Sequence, residues 1–390
     1  MKKIFGFLTV GILCLSLAGG CGTTGAAAGN AAGGTIKVGG DLELSGGQAM
    51  FGQEAQNGIK MAFDQINAKG GVLGGKKLTL DVADNKSDPG EATIAATKLV
   101  GDNVVAVIGP MTSSLVAAAT PVVTDSKVPL ITPSGTNAKL TMAAGGKVQP
   151  YIFRPCFIDP FQGQVGAKFA FDTLHAKTAA VIIDQKSDYA KGLADTFIAN
   201  FTAAGGKIVD QEKYASGDKD FTTILTRIKG TNPDLIWLPG YYNDDGLIVK
   251  QARDLGMKMP FAGGDGWDDP SLFKIGTPEA LNDTYYVDHV ANDSPDMVQF
   301  VKDYKEKYGH EPNAMSALSY DSANMIINAI QTANSGDPAK ITAELDKLTG
   351  FKGVTGEITI DPKTHNPQKK AVIKENKNGK GIYLTSVSPS

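Results

Sequence analysis

The sequence predicts an α/β protein: two doubly wound, parallel-sheet lobes with a ligand cleft between them. Short apolar runs alternate with helix-length amphipathic segments, as parallel sheets covered on both faces require. The alternation occurs in two successive runs, and 390 residues leave room for about two domains with full cores. Within the first run, Val104 to Thr136 holds two strand-to-turn units, each ending in small hydroxyl residues. Parallel sheets bind ligands at the carboxyl ends of their strands, and free N–H groups at such turns suit a small anion, most simply a carboxylate.

Residues 1–21 stand apart from the fold. Lys2 and Lys3 precede an apolar stretch from Ile4 to Leu17, shaped as a signal peptide and short for a bilayer span. It ends in Ala18-Gly19-Gly20-Cys21, which resembles a bacterial lipoprotein cleavage site with Cys21 as the lipidated residue; Ala18 stands where that pattern more often has leucine. Residues 22–34 are Gly- and Ala-rich, the composition of a flexible tether. The expected address is periplasmic or cell-surface, lipid-anchored to the membrane.

Thr35 to Leu42 reads as the first strand. Ala55, Ile59, Ala62, Phe63 and Ile66 recur at helical spacing, and Gly70-Gly71 ends that helix. Gly70 to Lys77 nearly spells a phosphate-binding loop, but Lys77 stands where Ser or Thr is needed and the order is helix to strand, so nucleotide binding is rejected. Leu78 to Ala83 is a strand. Asp88-Pro89-Gly90-Glu91 starts a helix with a capping acid, proline at the first position and an acid three residues after the cap. The next strand stops at Gly109-Pro110, and an alanine-rich helix opens after Met111-Thr112-Ser113-Ser114. A further strand stops at Pro133 before Ser134-Gly135-Thr136. Tyr151 to Arg154 is a candidate crossing out of the first lobe.

The second run has helix Phe161 to Leu174, strand Ala179 to Asp184, helix Tyr189 to Ala204, strand Lys207 to Tyr214, helix Phe221 to Lys229, strand Leu235 to Leu238, helix Gly246 to Leu255 and strand Met259 to Gly264. Its exit, Gly264-Asp265-Gly266-Trp267, would present groups to the cleft; Asp268 and Asp269 are read as surface or helix-cap residues. Helices Asp296 to Tyr308, Ala314 to Asn334 and Pro338 to Leu348 follow, then short antiparallel strands at Gly356 to Ile360, Lys370 to Lys374 and Gly381 to Thr385.

Composition excludes several classes. A net charge of −3 with no basic patch gives no nucleic-acid surface. Cys14 leaves with the signal and Cys21 would be lipidated, so Cys156 has no disulfide partner and reads as a small buried hydrophobe. Four scattered histidines make no metal spacing, and no cofactor is expected.

Leu44-Ser45-Gly46 with Phe51-Gly52, Ile66-Asn67-Ala68-Lys69-Gly70-Gly71, Val107-Ile108-Gly109-Pro110, Ile131-Thr132-Pro133, Asp188-Tyr189-Ala190-Lys191-Gly192, Pro239-Gly240-Tyr241 and Tyr320-Asp321 together, in order and spacing, carry a resemblance. The chain resembles the substrate-binding proteins of branched-chain amino acid and amide ABC transporters, of the leucine/isoleucine/valine-binding type. The resemblance implies a three-crossing hinge, with lobe 1 at residues 35–156 plus 288–352 and lobe 2 at 157–287 plus 353–390. It implies a monomeric receptor, not an enzyme, that closes on an amino acid and delivers it to ABC permease subunits.

Carried over, the resemblance puts Ser113 and Thr136, with backbone at Thr112 and Ser134, on the ligand carboxylate. Asp265 accepts the ammonium, helped by Tyr241 or its neighbour Tyr242, and Tyr189 closes over the ligand. Phe51, Met111, Trp267 and Met315 are candidates for an apolar side-chain pocket. The disulfide usual in the first lobe is absent, with no cysteine near Asn85 or at Thr112. Leucine, isoleucine, valine, phenylalanine and an amide are not ranked by these residues. Two alternatives remain: a sensory protein of the same fold, and a secreted serine hydrolase using Ser113 or Ser134, which would need a histidine within reach.

Overall fold

The computed structural model describes residues 34–389. The expected signal peptide, Cys14, the expected lipidation site Cys21 and nearly all of the expected tether lie outside the described residues.

The first lobe is β1 (Thr35–Leu42), α1 (Ala49–Ala68), β2 (Lys77–Asp84), α2 (Pro89–Gly101), β3 (Val107–Ile108), α3 (Ser113–Asp125), β4 (Leu130–Ile131) and β5 (Ile152–Phe153). Its strands are all parallel, in the order β2-β1-β3-β4-β5. The chain then builds α4 (Asp159–Lys168), β6 (Thr178–Asp184), α5 (Asp188–Ala203), β7 (Lys207–Tyr214), α6 (Thr222–Thr231), β8 (Leu235–Trp237), α7 (Tyr242–Asp254), β9 (Phe261–Gly263), α8 (Ser271–Gly276) and β10 (Thr284–Asp288). The parallel part of this second sheet runs β10-β9-β8-β6-β7, the same winding as the first. Both lobes therefore reverse strand order at a switch point, where ligands bind.

Next come α9 (Val298–Tyr308), α10 (Ala314–Ala333), α11 (Pro338–Leu345) and the hairpin β11 (Phe351–Gly353) with β12 (Gly356–Ile358). The last strands, β13 (Ala371–Lys377) and β14 (Lys380–Val387), add antiparallel to β10 and extend the second sheet. The expected lobe boundary at 352/353 falls inside the β11–β12 hairpin, whose turn is held by Asp321 of α10 through Val354 N and Thr355 N. The chain joins the second sheet only at Ala371.

Local chemistry explains most of the elements. Asp88 caps α2 through Gly90 N and Glu91 N, as its spacing predicts. Gly109 has φ +94, and a Cβ there would lie 2.1 Å from Asp41 O, so only glycine fits the turn after β3. Tyr151 to Arg154, expected as a crossing, instead contains β5, the edge strand of the first sheet; the crossing follows it. The expected helix from Phe161 is α4 continued by a wider π-type turn at Phe169–Thr173. α7 begins at Tyr242, earlier than its apolar periodicity predicts, because Asp244 and Asp245 of its first turn are buried and break the pattern. Strand β10 has no counterpart in the sequence reading. Its Thr-Tyr-Tyr-Val-Asp is mostly buried, flanked in the sheet by β9 and β13, and shows no clean alternation.

Helices α1 and α10 pack together at close range, where a Cβ on Gly58 would lie 2.1 Å from Ser316 O. Gly58→Ala must push them apart, and over-packing of this kind costs about 1 to 3 kcal/mol. A lowered denaturation midpoint is expected; an unchanged midpoint would contradict the contact.

Candidate functional site

The candidate site begins at the amino end of α3. Leu115 N and Val116 N already bond to Thr112 O, whereas the N–H groups of Ser113 and Ser114 have no protein acceptor among the described residues. Two unsatisfied donors at the positive end of a helix form an anion seat. Ser113 Oγ accepts from Asn137 N at 3.2 Å, leaving its own proton to donate. Thr136 is fully buried, and its Oγ1 has no hydrogen-bond partner.

Of the two residues expected to offer backbone here, Thr112 has its N–H taken elsewhere, whereas the Ser134 N–H has no protein acceptor among the described residues. Thr112 gives its N–H (3.0 Å) and hydroxyl (3.1 Å) to Glu43, which also takes Met111 N. Burial raises the Glu43 carboxyl above its usual range, while Met111 and Thr112 pull it back. Ser134 Oγ donates to Met111 O at 2.9 Å and so ties one turn to the other. Beneath them, fully buried Arg154 bonds Asn137 O (3.0 Å), Gly135 O and Thr141 Oγ1, fixing the loop that carries Thr136. Cys156 lies beside Gly135 O, and burial pushes its thiol up to about 12, so it is an inert hydrophobe.

The second lobe brings an acid. Asp265 follows β9 and is 3% exposed. Its carboxylate accepts from Gln162 Nε2 at 2.7 Å and from His289 Nε2 at 2.9 Å, and the His289 ring stacks on Phe157 with centroids 3.8 Å apart. Tyr189 OH accepts from Gly266 N at 3.2 Å, and the Tyr189 and Tyr241 rings stack at 5.1 Å. Burial raises both phenols, so both are neutral donors. Between the two candidate tyrosines, Tyr241 is the one stacked near Asp265; Tyr242 instead accepts Met50 N across the lobes at 3.2 Å.

Asn137 Nδ2 bonds Asp188 O at 2.7 Å, and Asp188 N bonds Ser114 Oγ at 3.0 Å, so the lobes are closed on one another. Phe51, Met111, Trp267 and Met315 all belong to one apolar cluster spanning both lobes, with Phe51 edge-on to Tyr241 and Tyr242. Trp267 donates Nε1–H to Leu238 O at 3.0 Å, which fixes its indole against the end of β8. Asp268 and Asp269 are buried, which overturns the surface alternative, while both accept N–H groups at helix starts as the helix-cap alternative expects. Asp268 takes Ala314 N (2.7 Å), Tyr286 OH (3.1 Å) and Lys374 Nζ (3.3 Å), while Asp269 accepts Ser271 N at the start of α8. They hold the lobes near the hinge.

Sequence reasoning missed Glu43, Gln162 and His289. Gln162 had one usable signal, an amide in the first turn of a helix that opens directly after a crossing. His289 had none, because β10, which delivers it, was unrecognised.

Comparison with known proteins follows the same lines. A family profile described as periplasmic binding protein matches residues 35–380. A Leu/Ile/Val-binding protein of Rhizobium johnstonii is 32% identical over 333 residues, covering 83% of this chain and 89% of that one. The crystal structure of a leucine binding protein from Thermotoga maritima superposes with a TM-score of 0.85 at 37% identity, over 91% of this chain and 99% of that one. A branched-chain amino acid transporter substrate binding protein from Streptococcus pneumoniae, in complex with isoleucine, gives 0.85 at 38% identity, over 91% and 100%.

Behind Tyr241 lie three more buried acids, Asp184, Asp244 and Asp245. Asp244 is pushed up to about 6, first by burial and then by Asp184 and Asp218, against Gly217 N and Lys219, which lower it. The folded protein thus holds this proton more tightly than the unfolded chain, whose carboxyl titrates near about 4. Stability is lost as pH rises through that window to 6 and stays lost above it. Asp244→Asn is therefore expected to raise the melting temperature at pH 8 and leave it nearly unchanged at pH 4; equal shifts at both would contradict the strain.

Proposed function

The chain belongs to the periplasmic binding protein family, and within it we propose a receptor that closes on a branched-chain aliphatic amino acid and hands it to an ABC permease. The protein is a solute receptor of this fold, not an enzyme. The reading rests on one observation: an unfilled anion seat at Ser113 and Thr136 on one lobe, and a buried carboxylate, Asp265, on the other. A zwitterion supplies the complement to both, and each of its charges needs a partner in a nearly dry cleft.

In this reading Ser113, with the α3 N–H groups and Thr136, holds the ligand carboxylate. Thr112 holds the seat's wall through Glu43 instead of touching the ligand, while Ser134 ties that wall with its hydroxyl and offers its backbone to the carboxylate. Asp265 and Tyr241 take the ammonium, and Tyr189 covers it. Phe51, Met111, Trp267 and Met315 enclose an aliphatic side chain. The Leu/Ile/Val-binding relatives and the isoleucine-bound neighbour support an aliphatic ligand over an amide. Closure follows because the ligand touches both lobes only when they meet.

In this reading the receptor works as a monomer in the periplasm or at the cell surface, held to the membrane by a lipid on Cys21. Among the described residues no helix is long and apolar enough to cross a membrane.

Truncating one member of a buried charged pair costs about 2 to 5 kcal/mol. Calorimetric titration with isoleucine is expected to show Asp265→Ala weakened by that amount, and Ser113→Ala weakened by about 1 to 3 kcal/mol, with folding intact. Unchanged affinity in both variants would remove the proposed site.

A further inference from the structure

We propose that Asp159 is a second acidic contact for the ligand's ammonium, a specificity-determining residue that makes the closed cleft demand a cationic nitrogen. The inference rests on the reading of this cleft as an amino-acid site.

Asp159 opens α4 at the crossing between the lobes and is 1% exposed. Among the described residues neither of its carboxylate oxygens makes a hydrogen bond of ordinary length, although the Thr136 hydroxyl lies near enough to lower its carboxyl. Its backbone is fixed from both sides: Asp159 N donates to Thr136 O at 2.9 Å, and its carbonyl accepts from Thr196 Oγ1 at 3.2 Å. The side chain is thus pinned beside the Thr136 hydroxyl, itself unpartnered. On the opposite side α5 approaches so closely that a Cβ on Gly192 would lie 3.1 Å from Asp159 Oδ2.

Arg154 is near enough to be felt, but its bonded N–H groups go to Gly135, Asn137 and Thr141, leaving Asp159 without an ion pair. Burial pushes the Asp159 carboxyl up to about 8, with the Thr136 hydroxyl pulling it back, Asp265 adding to the rise and Arg154 opposing it, so without a cation beside it the group holds a proton at neutral pH. Buried, unpaired acids of this kind mark a missing partner.

An ammonium has three donors, and the acid already assigned to it is partly used. Asp265 has both oxygens engaged, by Gln162 and His289, and retains only its remaining lone pairs. Asp159, with two oxygens to offer, supplies the acceptor that Asp265 lacks. The geometry thereby explains why an acid without an ammonium would be a poor ligand: it would leave Asp159 buried with nothing to pair. A cavity of about 650 Å³, lined by Asn137, Asp159, Asp188 and Gly192, offers the competing occupant, a water reaching Asp159 from outside.

The test titrates isoleucine and 3-methylpentanoate, the same side chain without the ammonium, into the wild type and Asp159→Asn. The variant should lose isoleucine affinity at least about thirtyfold. Its affinity for 3-methylpentanoate should stay the same or rise. Equal loss for both ligands, or no loss for either, would overturn the inference while leaving the receptor reading intact. A wild type that binds only 3-methylpentanoate would overturn both. Should Asp159→Asn fail to fold, a crystal structure of the wild-type isoleucine complex decides. An ammonium nitrogen within about 3.2 Å of an Asp159 oxygen supports the contact. Asp159 bonded only to water or Thr136 removes it.

Discussion

A charge enclosed in a closed, nearly dry cleft must meet an opposite charge, and the site depends on that constraint. Free carboxylates and ammonium groups are well solvated in water; burying either alone costs several kcal/mol. The lobes divide the two poles between them. The α3 terminus with Ser113 and Thr136 sits on one side, and Asp265 with its tyrosines on the other. Neither lobe alone can satisfy a zwitterion. Closing becomes favourable when a ligand of the right length connects them, and that is the physical basis of a hinge receptor.

Much of the remaining polar chemistry holds these poles still. Glu43 takes the N–H groups just before α3, so the helix start cannot drift. Arg154 braces the Thr136 loop from beneath, and Gln162 with His289 orients Asp265. Farther out, Lys374 pairs with Asp268 and Asp288 on the second lobe, while Asp268 also caps the start of α10 on the first. These buried bonds are directional, and they suit a hinge that must return to one closed geometry.

The architecture was legible because it is written locally. Alternating strands and helices, the Asp88-Pro89 cap and the glycine-terminated helices each follow from residues within one turn of one another. The residues proposed as the two poles stood out in the sequence for a similar reason: hydroxyl-rich turns at strand ends, and an acid between glycines after β9. What stayed hidden depends on residues far apart in sequence. Thr112 and Ser113 look equivalent along the chain, yet a glutamate 69 residues away from Thr112 turns its polar groups inward. His289 acquires meaning only once β10 sets it 24 residues from Asp265 in sequence and within hydrogen-bond reach in space. Asp159 looks like any first-turn helix acid until α5 and the Thr136 loop bury it.

On the proposed reading, one ligand must carry both charges to join the lobes. The most direct measurement is thermal stabilisation of the protein, unfolded and refolded to strip bound ligand, by leucine, 4-methylpentanoate and 3-methylbutylamine at equal concentration. A ligand that binds the folded state raises the melting temperature by mass action. A clear rise is expected with leucine and almost none with either half-ligand. A rise with 4-methylpentanoate equal to that with leucine would contradict it, since the carboxylate seat alone would then suffice.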